Sequence, residues 1–128
     1  MTESFNPSSP IYLQLADRIK NRIIRGEIER GERLPSVREL AIDSGVNPNT
    51  VQRTYRELED SGIVLKQRGQ GTYVTEDPQI LNRIREELKT RHTVNFVREM
   101  RAIGCADDEL LTSLQDYLTQ RGEGEDHA

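Results

Sequence analysis

Residues 34–74 constrain this chain more than any other stretch. They read LPSVRELAIDSGVNPNTVQRTYRELEDSGIVLKQRGQGTYV, two short helix signatures around a glycine-bearing turn followed by a glycine-punctuated pair of strand formers. Ser36 and Glu39 stand three apart ahead of an apolar run, so each side chain can satisfy a backbone donor left open where a helix starts. Val37, Leu40 and Ala41 share one face of that helix, and Arg38 points elsewhere from its first turn. Gly45 turns the chain. Asn47 suits the cap of a second helix, and Pro48 suits its first position, where a missing N–H costs no intrahelical bond.

In the second helix Val51, Tyr55 and Leu58 recur at spacings of four and three and form its buried stripe. At 100° per residue from Val51, Asn49 lies near 160°, Arg53 near 200° and Arg56 near 140°, so these three face outward together. A solvated helix face usually carries mixed charge without a target. Here the outward arginines follow a tight two-helix turn and an entrance rich in amide and hydroxyl groups (Asn47, Asn49, Thr50), which is what a major-groove reading helix requires. Gly62 ends the helix. Ile63 to Gln67 and Thr72 to Val74 then form a hairpin whose Arg68-Gly69-Gln70-Gly71 tip needs its glycines for the turn in any case. Lys66 and Arg68 exceed that requirement and suit phosphate contact or the adjacent minor groove. The order of elements is a helix-turn-helix with a wing.

GERLPSVRELA, GVNPNTVQRTYRELEDSGIV and RGQGTYV closely resemble the winged-helix domain of the GntR family of bacterial transcription regulators, over about residues 10 to 75. The resemblance implies DNA contacts from Arg38, from Asn47, Asn49 and Thr50 with Gln52 or Arg53 a turn later, and from the wing glycine Gly69. With the outward and basic residues, the expected DNA-binding set is Ser36, Arg38, Asn47, Asn49, Thr50, Gln52, Arg53, Arg56, Lys66, Arg68, Gly69 and Gln70. Some branches of the family carry an arginine where Pro48 stands, so one base contact is absent and the preferred operator should differ.

A chain of 128 residues allows one modest domain or a small domain with an appendage, and excludes a multi-domain enzyme. Its net charge of −4 argues against nucleic acid only until it is divided. Residues 1–76 carry eleven Lys/Arg and eleven Asp/Glu, so the whole acidic excess lies beyond them. A neutral domain still binds DNA when its cations are segregated, because affinity follows counterions released locally. One cysteine, Cys105, precludes an intrachain disulfide. No apolar run approaches the ~20 residues of a membrane span and no leader is visible, so a reduced cytoplasmic setting is expected.

Residues 1–9 are polar and are expected to be disordered. From Pro10 the register Ile11, Leu15, Ile19, Ile23 predicts a helix closing near Gly26, and Ile28 to Leu34 form a compact connector. The DNA-binding domain is thus read as residues 10–76. After Asp77-Pro78, the stripe Ile80, Leu81, Ile84, Leu88 continues through Val94, Val97, Met100 and Ile103 across a polar break at 91–93. It predicts one long or kinked helix, closed by Gly104. Leu110, Leu111, Leu114, Tyr117 and Leu118 set another helix, with Asp107, Asp108 and Glu109 at its positive end. Residues 77–122 are read as a helical dimerisation segment and 123–128 as a flexible tail.

Two such helices cannot enclose a core alone. The economical solution is a second copy, with Ile80, Leu81, Ile84, Leu88, Val97, Leu110, Leu111, Leu114 and Leu118 in the seam. The short two-helix tail resembles the YtrA-type branch of the family. That resemblance implies a homodimer regulating a neighbouring transporter operon. The predicted fold class is mainly α with a small β-hairpin: an N-terminal winged helix-turn-helix plus a C-terminal two-helix dimerisation segment.

Catalysis would need a nucleophile with a base, paired carboxylates or a phosphate-cradling loop, and none assembles. His92, His127 and Cys105 are too dispersed in sequence for a metal site. Gly69-Gln70-Gly71 lacks the following helix and Lys-Ser/Thr of a nucleotide loop. No enzyme activity, cofactor or metal is expected, and the sequence identifies no small-molecule effector. The expected function is a dimeric repressor on a pseudo-palindromic double-stranded DNA operator. The alternative is a winged-helix protein-interaction module without DNA binding, favoured by the zero balance of residues 1–76.

Overall fold

A computed structural model describes residues 4–122. The element order is α1 (Ile11–Ile24), α2 (Val37–Ser44), α3 (Pro48–Ser61), β1 (Val64–Gln67), β2 (Gly71–Val74), α4 (Pro78–Ala102) and α5 (Asp107–Gly122). The chain divides into two compact units, residues 1–85 and 86–128. Residues 1–3 of the stretch expected to be disordered, and the expected flexible tail 123–128, lie outside the described residues.

In the first unit α1 packs across α3, because Leu15, Ala16, Ile19 and Ile23 on one meet Val51, Thr54, Tyr55 and Leu58 on the other. Leu15, Val51, Leu58 and Ile63 are fully buried, which at roughly 1.5–3 kcal/mol per large apolar side chain makes this the stabilising centre of the unit. Buried Thr54 donates its hydroxyl to Thr50 O (3.0 Å) and across to Tyr12 O of α1 (3.2 Å), so its polar group is satisfied within that seam.

The hairpin pairs Val64 with Val74 and Gln67 with Gly71, antiparallel. The connector supplies a short third edge: Gly31 N donates to Val74 O, Val74 N to Glu32 O and Leu34 N to Thr72 O. That edge fixes the wing against the entrance to α2.

Two boundaries differ from the sequence reading. The expected domain end at residue 76 falls short of the unit's end at Arg85, because the first turns of α4 pack on the end of α3. Arg83 donates to Ser61 O (2.8 Å), and a Cβ at Gly62 would lie 3.8 Å from Ile80 Cγ2. Ile84, assigned to a seam between copies, is consequently only 3% exposed within the single chain, and Ile80 and Leu81 are half-buried. Residues 4–9, expected to be disordered, are tied to α1. Asn6 N donates to Gln14 Oε1 (2.8 Å), Gln14 Nε2 donates to Ser9 O (2.8 Å), and the Arg18 guanidinium lies over the Phe5 ring. One aromatic ring cannot build a core, but it can cover one arginine.

In the second unit the rest of α4 and α5 form a helical pair. The polar stretch 91–93 does not interrupt α4, and Gly104 (φ 90°) makes the reversal. Leu110 is buried between the helices, whereas Ile103, Leu111, Leu114, Tyr117 and Leu118 are exposed.

Candidate nucleic-acid interface

The candidate surface lies within the first unit and draws on the entrance to α2, the outward face of α3 and the hairpin. At the entrance Ser36 Oγ accepts from Glu39 N (3.1 Å) while the Glu39 carboxylate accepts from Ser36 N (2.8 Å). These bonds hold the Glu39 carboxyl below its ordinary range, first through the Ser36 N–H, then through the Ser36 hydroxyl, with a smaller contribution from the Arg33 charge. The Ser36 hydroxyl is therefore committed to the cap, and the cap sets the direction in which exposed Arg38 leaves the first turn.

α3 starts where Asn47 Oδ1 accepts from Asn49 N (2.7 Å). Because that carbonyl serves the backbone, the NH2 group is what Asn47 can offer a ligand. Tyr55 locks the helix from behind: its hydroxyl donates to Pro35 O, and burial, with Glu39 nearby, pushes its phenol far above the ordinary value. With Tyr55, Val51 and Leu58 inward, Asn49, Gln52, Arg53 and Arg56 are exposed and Thr50 is half-buried.

Arg56 stands between two shallow grooves. One, of about 160 Å³, runs between α1 and α3 and is lined by Tyr12, Arg53, Arg56, Glu57 and Asp60. The other, of about 230 Å³, runs between α3 and the hairpin and brings Gln52 and Arg56 to Lys66 and Thr72. Arg68, Gly69 and Gln70 stand apart at the exposed tip, where Gln70 N donates to Gln67 O (2.9 Å) and Gly69 takes φ 76°. No atom lies within 4 Å of a Cβ built at Gly69, so its backbone angle, not crowding, calls for glycine there.

Charge is segregated along α3 although residues 1–76 sum to zero. Residues 47–56 hold Arg53 and Arg56 and no carboxylate, and Glu57, Glu59 and Asp60 follow in the last turns. Among the described residues Arg38, Arg53, Arg56, Lys66 and Arg68 form no ion pair. Exposed cations without carboxylate partners are free to displace counterions from a polyanion.

Two features went unread in the sequence. Arg33 lies against the wing, its Nε 2.8 Å from where a Cβ at Gly71 would stand, so a side chain at 71 would displace the guanidinium and would strain the backbone at φ 115°. Tyr12 carries the Arg53 guanidinium on its ring. Neither pair is close in sequence, so local spacing gave no signal for either. Among the described residues no helix is long and apolar enough to cross a membrane, and no group of three His, Cys, Asp or Glu side chains could hold a metal ion.

Comparison with known proteins places this geometry. Residues 11–74 match the family described as bacterial regulatory proteins, gntR family. The chain is 44% identical over 117 residues to the helix-turn-helix transcriptional regulator YhcF of Bacillus subtilis, covering 91% of this chain and 97% of that one. It is 42% identical over 88 residues to the transcriptional repressor YtrA of the same organism, covering 64% of this chain and 68% of that one. Its fold is similar to that of a GntR family transcriptional regulator from Listeria monocytogenes, with TM-score 0.81, 38% identity and coverage of 88% and 98%. It is also similar to the DNA-binding domain of AraR in complex with operator ORX1, with TM-score 0.53, 26% identity and coverage of 59% and 95%. A winged helix with an α4–α5 tail and these relatives together identify the chain as a member of the GntR family of bacterial transcription regulators, on its YtrA-like branch.

Proposed function

We propose that two copies of this chain bind a pseudo-palindromic operator near a promoter and repress transcription by occluding it. The observation that carries this reading is the run of exposed cations free of ion pairs, Arg38, Arg53, Arg56, Lys66 and Arg68, among the described residues of one winged unit. In it, the acid-free part of α3 enters the major groove with Asn49, Gln52 and Arg56 towards the base edges. Ser36, Arg38, Asn47 and Thr50 flank that entry, and Lys66, Arg68, Gly69 and Gln70 reach the phosphates or the adjacent minor groove. AraR's DNA-binding domain, solved on an operator, supports this mode, and YtrA's name as a repressor supports the direction of control.

The second copy docks through the helical pair. Leu111, Leu114 and Leu118 are exposed in one chain, and half-buried Val97 lines one groove with Leu110, Leu111 and Leu114. Two-fold pairing would set the recognition helices about one DNA turn (~34 Å) apart.

The test is affinity for duplex DNA taken from upstream of the chain's own coding region, with a scrambled duplex beside it. Arg38→Ala should cost about 1–3 kcal/mol and relax the preference between the two. Unchanged affinity and preference would contradict the proposal. The zero balance of residues 1–76 favours a second reading, a protein-docking module, for which binding would be indifferent to both duplex and arginine.

A further inference from the structure

We propose that Tyr12 is a positioning residue for DNA binding, whose ring holds Arg53 on the α1 side of the recognition helix so that its guanidinium meets a backbone phosphate. The inference rests on the DNA-binding reading above and extends the contact surface to α1, an element outside the helix-turn-helix.

Four observations converge. The Arg53 Cζ lies 4.0 Å from the centre of the Tyr12 ring. The Tyr12 backbone is itself fastened to α3, since its carbonyl accepts from Thr54 Oγ1 (3.2 Å), one residue from Arg53. Tyr12 is half-buried while Arg53 is exposed, so the ring is a fixed platform and the guanidinium is the accessible partner. Glu57, one turn on, and Asp60 line the same groove, yet Arg53 forms an ion pair with neither.

The consequence follows from the shape of the two groups. A guanidinium is planar, and lying on a ring it keeps its N–H donors at its edge available to an anion. The stack also removes rotamer freedom that Arg53 would otherwise lose on binding. An ion pair with Glu57 would consume both charge and donors, and the ring consumes neither. Arg53 is thereby drawn towards α1, off the central line of Asn49 and Arg56, which favours a phosphate flanking the groove over a base edge.

The experiment uses the full-length chain, the upstream duplex and a scrambled duplex of equal length. Arg53→Ala should weaken both alike, by about five- to tenfold, and lower the salt slope by about one. Tyr12→Leu should weaken both by about two- to fivefold, the range for an exposed cation–π contact, and Tyr12→Phe should bind as the parent does. The double variant Tyr12→Leu/Arg53→Ala should be no weaker than Arg53→Ala alone. A readout independent of DNA is the Arg53 side-chain N–H resonance, shifted by the ring current in the parent and in Tyr12→Phe and returned to the ordinary position in Tyr12→Leu. Even if Tyr12→Leu folds poorly, the displacement of that resonance from its ordinary position in the parent and in Tyr12→Phe decides whether the ring holds the guanidinium. Additive losses, loss of binding in Tyr12→Phe or an unshifted Arg53 resonance would overturn the positioning role. Salt-independent or absent duplex binding by the parent would instead overturn the DNA-binding reading, and this inference with it.

Discussion

The winged unit and the helical pair are written in the same code, an apolar residue every three or four positions, but the code achieves different ends within one chain. In the winged unit it closes: Leu15, Val51, Leu58 and Ile63 are wholly buried by their own chain. In the helical pair it stays open, with Ile103 76%, Leu111 65% and Tyr117 55% exposed. Periodicity thus identifies which face needs cover and says nothing of what supplies it. Three helices and a hairpin packed on one another can enclose a core, and two helices alone cannot.

Substitutions can break or sharpen that contrast. The largest effect should come from Leu58→Ala, which empties a fully enclosed site and should lower unfolding stability by about 2–5 kcal/mol in denaturant titration. A loss well under that range would mean the winged core is loosely packed. Next come Leu111→Asp and Leu118→Asp, each expected to weaken self-association by about 1.5–3 kcal/mol in sedimentation equilibrium while leaving the melting of the winged unit in place. Self-association indifferent to both would sever the open face from dimer formation.

A smaller effect, about 0.5–1.5 kcal/mol, should follow Tyr55→Phe, which leaves Pro35 O without its hydroxyl donor. Smallest is the pH response of the α2 entrance. The Glu39 carboxyl titrates below its ordinary 4.5, so its contribution is fully present above that value and is lost as pH falls through the lower folded one. Glu39→Gln, which keeps an acceptor for the Ser36 N–H, should flatten that acid limb in circular dichroism melts. An acid limb unchanged by the substitution would assign the response to other carboxylates.

What was legible in the sequence was local. The Ser36–Glu39 cap, the Asn47-Pro48 start, the Gly62 stop and the hairpin tip each rest on residues within a few positions of one another, and all formed as read. The angular arithmetic along α3 also held, and Asn49, Arg53 and Arg56 emerged exposed. What was not legible was non-local. The stripe from Ile80 to Leu88 runs unbroken, so nothing in it marks that Ile84 packs within the winged unit, whose compact part extends to Arg85. Arg33 over Gly71 and Arg53 over Tyr12 join residues about 40 positions apart. The tie between Phe5 and Arg18 was missed because a polar segment with one aromatic reads as unable to fold, whereas here it needs only to dock on a helix already formed.

The most direct test of the central claim, that segregated cations on a nearly neutral winged unit bind DNA, is the affinity of the full chain for its own upstream duplex measured from about 50 to 200 mM salt. Neutralising about five phosphates per copy predicts a log–log slope near −4 to −5 per winged unit. A slope near zero, with affinity indifferent to salt and to Arg38→Ala, would contradict it.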